Sequence, residues 1–263
     1  HWQTYKRMNV PRLWKDIKSL PLKHYNLIIN DFEPITGWAC KLQGRPSVAL
    51  SHQASFLSKK TPRPVQSSRI TELIFKYYAP TSHHVGFHFK KYDDFIHTPV
   101  IRSEIRNLQA EDHGHITVYL PAFHDPLLIN YFQRLPDVKW EVLSKHSRVR
   151  YTDKNVTVHP IHNSLYNHSL ATSSGLLTGG GFEGPAEALY LKKKVLVVPM
   201  RYQYEQLCNA EAARLLGVPV LQKLDGQFVE ALQDWIYNST PVHVDFPDNT
   251  AAIVDDLVKR FAR

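Results

Sequence analysis

The sequence predicts an α/β protein with two doubly wound domains, each built on a parallel sheet. Short apolar runs, typical of buried parallel strands, alternate with helical patterns along most of the 263 residues. This alternation implies right-handed crossovers between parallel strands. The pattern restarts near residue 110, so we place an N-terminal domain at 1–105 and a C-terminal domain at 106–263.

The composition excludes several other classes of protein. With 43% hydrophobic and 21% charged residues, the chain can bury a large core and is not disordered. Its two cysteines are too few for a disulfide framework. We see neither a signal peptide nor the roughly 18 apolar residues of a membrane span, and expect a soluble, cytoplasmic protein. The net charge of +8 favours an anionic partner.

The first domain is predicted from three apolar strands and the helices that follow them. It opens with a basic helical stretch at 11–20 that no strand precedes, so we expect the start of this domain to be missing. Asp31 and Glu33 follow the first strand and either line an acceptor cleft or cap the next helix. The predicted strands lie at 25–30, 46–51 and 84–89, and the helices at 34–42 and 71–78.

The second domain continues the alternation with more regular spacing. Its predicted strands lie at 116–120, 140–144, 156–160, 175–178, 194–199 and 218–221. Its predicted helices lie at 126–134, 164–171, 182–191 and 204–216, and two amphipathic helices at 227–237 and 250–261 close the chain.

A glycine-rich turn is the sharpest motif, within GLLTGGGFEGPAEAL at 175–189. A strand ends at Thr178, and Gly179, Gly180 and Gly181 form the turn before a helix. Glycines allow close backbone approach, and a helix N-terminus offers N–H groups at the positive end of its dipole. Both features suit a diphosphate, although a turn that only permits tight packing fits the glycines equally well.

Carboxylates and amides follow this turn and the next one. Glu183 begins the helix, and Glu187 lies one turn later among apolar neighbours. A carboxylate there suits a ribose diol, as in dinucleotide sites. Glu205, Gln206 and Asn209 follow the next strand, where open α/β sheets bind ligands. Each also has a plain interpretation as a helix-end charge or a solvated helix residue.

The order of these features resembles the donor half of the GT-B glycosyltransferases. The segment is similar to the MurG-type N-acetylglucosaminyltransferases and to the UDP-glucuronosyl- and UDP-glucosyltransferases. The resemblance implies two Rossmann-like domains and a final helix that crosses back to the first one. It also implies hexosyl transfer from a nucleotide-sugar, first of all a UDP-sugar, to an acceptor hydroxyl. Enzymes of this group need no bound metal or cofactor.

The resemblance also assigns roles within a donor site. It implies that Glu187 binds the ribose, that Glu205 and Gln206 hold the sugar, and that the uracil lies near Ile161. Gly179 stands where plant-type relatives carry a phosphate-contacting histidine. A second glycine-rich loop of the group is replaced by 120–125, whose His124 contacts the donor or belongs to a plain loop. The remaining predicted donor residues are Gly180, Gly181, Phe182, Glu183 and Asn209.

Two further segments resemble the acceptor side of this group. The tripeptide at 51–53 is similar to an acceptor loop and supplies Gln53 and His52. Because histidine is the residue type that ordinarily titrates near neutral pH, His52 is the best visible acid–base residue. A hydrogen-bonded loop residue is an equally good interpretation of His52. The segment 98–102 resembles the interdomain linker. The histidine that is catalytic in many relatives would lie before His1.

The charge and histidine content of the sequence bear on other partners. The histidine clusters at 83–88 and 113–115 lack ligands that would complete a metal site, so we expect none. Basic tracts with aromatic residues at 6–18 and 59–69 suit peripheral contact with the inner membrane face and a lipid-linked acceptor. No nucleic-acid motif is present, so we expect no nucleic-acid partner.

Two alternatives from other classes stay open on the sequence. The first is a GT-B-fold epimerase acting on a UDP-N-acetyl sugar, which would form a sugar isomer and need no acceptor. The second is a non-catalytic nucleotide-sugar-binding protein, which would bind the donor without transfer or hydrolysis.

Overall fold

The computed structural model describes residues 9–262, so the beginning of the basic tract at 6–18 lies outside the described residues. The chain divides into two units. The first unit holds the described residues within 1–61, 68–100 and 248–263, and the second unit holds 62–67 and 101–247.

The first unit contains a four-stranded parallel sheet in the order β1-β2-β3-β4. The strands are β1 (Ile29–Asn30), β2 (Val48–Ser51), β3 (His83–Phe87) and β4 (Ile96–His97). The helices that precede or connect them are α1 (Val10–Ser19), α2 (Pro34–Leu42) and α3 (Arg69–Tyr77).

The first predicted strand is shorter than expected. Of the span 25–30, only Ile29–Asn30 pairs with β2, starting with Ile29 opposite Val48. Continued backwards, this register would set residue 27 opposite Pro46, which has no N–H to donate. The ladder therefore starts only after the proline.

The second unit contains a six-stranded sheet in the order β10-β9-β5-β6-β8-β7. Its strands are β5 (His115–Tyr119), β6 (Lys139–Ser144), β7 (Tyr151–Asp153), β8 (Val156–Pro160), β9 (Gly175–Thr178) and β10 (Lys194–Val197). Its helices are α4 (Ser103–Arg106), α5 (Asp125–Phe132), α6 (Asn163–Thr172), α7 (Glu183–Tyr190), α8 (Tyr204–Leu215) and α9 (Phe228–Asn238). Phe132 and Trp140 stack in its core, with ring centroids 4.2 Å apart.

Two details of this sheet differ from the sequence prediction. Strand β7 is antiparallel to β8, whereas we expected parallel strands throughout. The tight connection between them has Lys154 at a φ of 52°, a conformation that its sequence did not signal because no glycine is present. The predicted strand at 218–221 is reduced to a single bridge between Val197 and Val220.

The last helix, α10 (Thr250–Phe261), belongs to the first unit. Its Ile253 and Leu257 are buried in one cluster with Val48 of β2 and Val85 of β3. Within residues 9–262, no helix has both the length and the apolar character that crossing a membrane requires.

Candidate functional site

The strand order of the second unit marks a place for a ligand. From β5 the chain proceeds outward to β6 and β8, and helix α6 then returns it to β9 on the other side of β5. Open α/β sheets bind ligands at the carboxyl ends of strands where the order reverses in this way. A cleft of about 380 Å³ lies there, lined by Tyr119 and Pro121 at the end of β5 and by Thr178 and Gly179 at the end of β9.

The glycine turn after β9 is held from behind by helix α8. The side-chain oxygen Oε1 of Gln206 accepts hydrogen bonds from the N–H groups of Gly180, at 3.1 Å, and Met200, at 3.0 Å. Asn209, which is buried, donates from Nδ2 to the carbonyl oxygen of Gly180 at 3.1 Å. These contacts fix the backbone of the turn.

The start of helix α7 faces the cleft through Gly181, Glu183 and Gly184. Its N-cap residue is Phe182, whose side chain makes no capping hydrogen bond. Pro185 follows in the first turn, where its missing N–H would have had no helical partner. The backbone N–H groups and the helix dipole therefore favour an anion here, although the exposed carboxylate of Glu183 competes for the same positive end.

Glu187 brings a buried carboxylate to the same cleft. The residue is 4% exposed, and its Oε1 accepts a hydrogen bond from Nε of Arg102 at 2.6 Å. Burial raises the pKa of Glu187, and the Arg102 guanidinium partly offsets that effect. An ionised carboxylate accepts about four hydrogen bonds, so it still has capacity for a ligand diol.

Tyr166 of helix α6 lies beside this carboxylate. Burial raises the pKa of Tyr166, and the neighbouring charge of Glu187 raises it further. Its hydroxyl therefore stays protonated at neutral pH and lines the cleft as a neutral group that can donate a hydrogen bond.

The structure brings together about half of the residues predicted for the donor site. The cleft is lined by six of them: Ile161, Gly179, Gly181, Glu183, Glu187 and Gln206. Gly180 is the turn residue that Gln206 and Asn209 hold, and Asn209 lies behind the turn. Phe182 and Glu205 do not line the cleft, and the ring of His124 packs against His146, with centroids 4.5 Å apart.

Sequence reasoning did not identify eight of the lining residues as site residues. Four of these eight have polar side chains and lie outside the glycine-turn motif: Arg102, Tyr119, Asn163 and Tyr166. Arg102 is the last residue of the linker-like segment at 98–102, and this resemblance was the one signal in the sequence that pointed to it. The other three come from the end of β5 and from helix α6, which only the strand order places beside the glycine turn.

The predicted acceptor residues lie in the first unit. The Nδ1 of His52 is 2.8 Å from the carbonyl oxygen of Phe87, which can only accept, so Nδ1 carries a proton and donates this hydrogen bond. Both carboxylate oxygens of Glu33 accept hydrogen bonds from the first turn of α2, at 2.7 Å each, which is the capping alternative. Asp31 is exposed, and Gln53 begins a short 3₁₀ turn at Gln53–Leu57.

The histidines near β3 take part in packing. His83 stacks on Phe261, with ring centroids 4.5 Å apart, and Nδ1 of His84 lies 3.2 Å from the hydroxyl of Thr81. In the part of the chain that the structure describes, no group of three or more His, Cys, Asp or Glu side chains is arranged to hold a metal ion.

Comparisons with known proteins agree with the fold. The sequence matches glycosyl transferase family 1 over residues 4–239. A comparison with curated proteins gave no match. Among solved structures, MurG of Acinetobacter baumannii is 10% identical with a TM-score of 0.58, over 94% of this chain and 77% of that one. UGT89C1 of Arabidopsis thaliana complexed with UDP-L-rhamnose is 12% identical with a TM-score of 0.59, over 88% of this chain and 68% of that one.

A third structure, described as the glycotransferase of kitacinnamycin, is 14% identical with a TM-score of 0.53, over 90% of this chain and 72% of that one. At these identities the likeness concerns the fold. It confirms the GT-B class predicted from the sequence.

Proposed function

The chain belongs to glycosyl transferase family 1, and we propose that it transfers a sugar from a UDP-sugar to an acceptor hydroxyl. The observation that carries this proposal is the cleft at the strand-order reversal. It combines a helix start that favours an anion with a buried carboxylate that can accept from a diol. UGT89C1, of the same fold, has been solved with UDP and with UDP-L-rhamnose, which supports uridine as the nucleoside.

In this proposal each part of the donor meets a different segment of the cleft. The diphosphate lies at the N–H groups of Gly181 and Gly184, and the ribose hydroxyls donate to Glu187. The base lies near Ile161. The oxygen of Gln206 already accepts from the turn, so its amide NH₂ is the group directed to the sugar.

The reaction then needs a base and a stabilised leaving group. The acceptor oxygen forms a bond to the anomeric carbon while the bond from that carbon to the diphosphate oxygen breaks. The hydroxyl proton passes to a base, for which Nε2 of His52 is our candidate, and the UDP anion leaves. Backbone N–H groups and the α7 dipole stabilise the developing charge, so we propose that transfer proceeds without a metal or a cofactor.

A lipid-linked acceptor is part of the proposal. Ile70, Leu73, Ile74 and Tyr77 follow a helical spacing on α3 and are all exposed, with the basic Lys76 among them. Such a helix suits an anionic lipid surface. We therefore expect faster transfer to an acceptor in anionic vesicles than to its water-soluble headgroup.

Thermal unfolding with UDP, GDP, TDP and ADP tests the donor site. We expect UDP alone to stabilise the protein, by about 2.7 kcal/mol at a hundredfold excess over Kd. The variant Glu187→Ala should lose this shift. The control Glu230→Ala removes an exposed carboxylate outside the cleft and should keep it. No shift with any nucleotide, or an equal shift in Glu187→Ala, would contradict the proposed donor site.

Product analysis then separates the enzyme from the two alternatives. We expect a UDP-sugar and an acceptor to yield UDP and a glycoside, at a rate that a chelator does not change. His52→Ala should keep UDP binding and lose turnover. A sugar isomer formed without acceptor would favour the epimerase, and binding without any product would favour a non-catalytic protein.

A further inference from the structure

The backbone next to Arg102 is held by contacts within the second unit. Arg102 directly precedes helix α4, and Arg106 of that helix donates from Nε to the carbonyl oxygen of Ile101 at 3.2 Å. Arg106 also donates to the carbonyl oxygen of Phe246 at 3.0 Å, and its guanidinium lies 4.9 Å from the ring centroid of Tyr190. The residue before Arg102 is therefore tied to two other parts of this unit.

The side chain of Arg102 is held at two points. Its Nε donates to Glu187 at 2.6 Å, and its Nη2 donates to Oδ1 of Asn167 at 3.2 Å. A guanidinium is planar with donors in fixed directions, so two contacts to different helices define its orientation. The Arg102 side chain is 41% exposed on the cleft side, whereas that of Glu187 is 6% exposed.

We propose that Arg102 is a positioning residue for donor recognition, which orients the Glu187 carboxylate so that its remaining lone pairs meet the ribose hydroxyls. This inference rests on the proposed function, since it concerns the same donor site. Arg102 acts here through Glu187.

The charges around Glu187 explain why such a partner is needed. Burial raises the pKa of this carboxyl, and the nearby carboxylates of Glu183 and Glu104 raise it further, while Arg102 alone among the charged groups identified around it lowers it. The Tyr166 hydroxyl that faces the pair stays neutral. Without Arg102, the carboxyl would take up a proton at a higher pH and lose acceptor capacity for a diol.

The affinities for UDP and 2′-deoxy-UDP test the proposal, because they differ by one ribose hydroxyl. We expect the wild type to prefer UDP by about 10- to 100-fold, the range of a hydrogen bond to a charged group. Arg102→Gln should reduce this preference to a few fold, and Arg102→Lys, which keeps the charge, should retain part of it. Glu187→Gln should abolish it, and the double variant should lose nothing more.

Arg214→Gln is the matched control. This substitution removes an arginine whose bidentate ion pair with Glu211 lies outside the cleft. The preference of this variant for UDP over 2′-deoxy-UDP should equal that of the wild type. Circular dichroism and thermal unfolding would verify that every variant is folded.

The pH dependence is a second readout. We expect the ratio of UDP dissociation constants, Arg102→Gln over wild type, to rise as pH falls from 8 to 6. Comparison at the same pH cancels titration of the nucleotide itself. In a carbon NMR titration, the pKa of the Glu187 carboxyl should be higher in Arg102→Gln than in the wild type.

Three results would overturn the inference. Tighter UDP binding by Arg102→Gln would show that Arg102 occludes the ribose. An equal loss of UDP and 2′-deoxy-UDP affinity would show a contact to the diphosphate instead. An unchanged Glu187 pKa in Arg102→Gln would reject the electrostatic role of Arg102, even if the protein binds nucleotide. A wild type that binds no nucleotide would reject the proposed function and this inference together.

Discussion

The three glycines of the turn after β9 differ in how much room each leaves for a side chain. A side chain at Gly180 would place Cβ 2.6 Å from the backbone oxygen of Gln206 and 3.0 Å from Cβ of Pro199. A Cβ at Gly179 would meet only ordinary contacts, and one at Gly181 would meet nothing within 4 Å. Close packing against α8 thus requires glycine at Gly180 alone, while Gly181 is exposed beside the cleft.

This difference predicts opposite outcomes for two matched substitutions. Gly180→Ala forces the turn away from α8, and we expect a loss of about 1–3 kcal/mol of unfolding free energy together with weaker UDP binding. Gly181→Ala should change stability by less than about 0.5 kcal/mol. Urea unfolding and UDP titration measure both effects. Equal destabilisation by the two variants would show that the packing of Gly180 is not what the turn depends on.

At the same scale, the sequence predicted which segments meet better than which contacts they make. Glu187 and the turn line one cleft, and Asn209, predicted to bind the donor, donates a hydrogen bond to the Gly180 carbonyl oxygen. The partner of Glu187 was not predicted because Arg102 lies 85 residues earlier in the chain. Contacts at that separation depend on how the strands are ordered, which periodicity does not reveal.

At the scale of elements, the start of helix α2 decides between two interpretations of Glu33, as a helix cap or as an acceptor residue. Glu33 uses both carboxylate oxygens to accept from Ile35 and Thr36, which satisfies two N–H groups that a helix start leaves without partners. A carboxylate there also complements the helix dipole. Asp31, two residues earlier, is exposed.

We therefore expect Glu33→Ala to lower the unfolding free energy by about 0.5–2 kcal/mol, the usual effect of removing a cap. Asp31→Ala should have little effect, and urea unfolding compares the two. A stability like that of the wild type, with a raised KM for acceptor, would instead support the acceptor role predicted for Glu33.

Most strands and helices were predictable because buried parallel strands form short apolar runs. The antiparallel β7 was not, since Tyr151–Asp153 is polar at its end and its connection contains Lys154 rather than glycine. The order of strands was not predictable either. It follows from long-range pairing of β5 with both β6 and β9, and that pairing creates the cleft.

At the scale of the whole molecule, the first unit is discontinuous in sequence, because α10 returns to it after the second unit. Residues 101–247, together with 62–67, form the second unit, and α10 then supplies Ile253 and Leu257 to the core of the first. The buried face of α10 packs with Val48 and Val85, on strands about 170–210 residues earlier by the numbering. The sheet of the first unit therefore lacks part of its apolar packing until α10 has been synthesised.

Leu257→Ala should weaken the packing of α10 on the sheet of the first unit. Leu257 is 1% exposed, and truncating a buried leucine typically costs about 2–5 kcal/mol through lost transfer free energy and a residual cavity. We expect faster amide hydrogen exchange in β2 and β3, whose buried residues face it. Val258→Ala, its exposed neighbour on the same helix, should leave exchange nearly unchanged. Equal exchange in the two variants would mean that α10 covers the sheet without stabilising it, because the loss of a buried side chain and of an exposed one would then have the same effect.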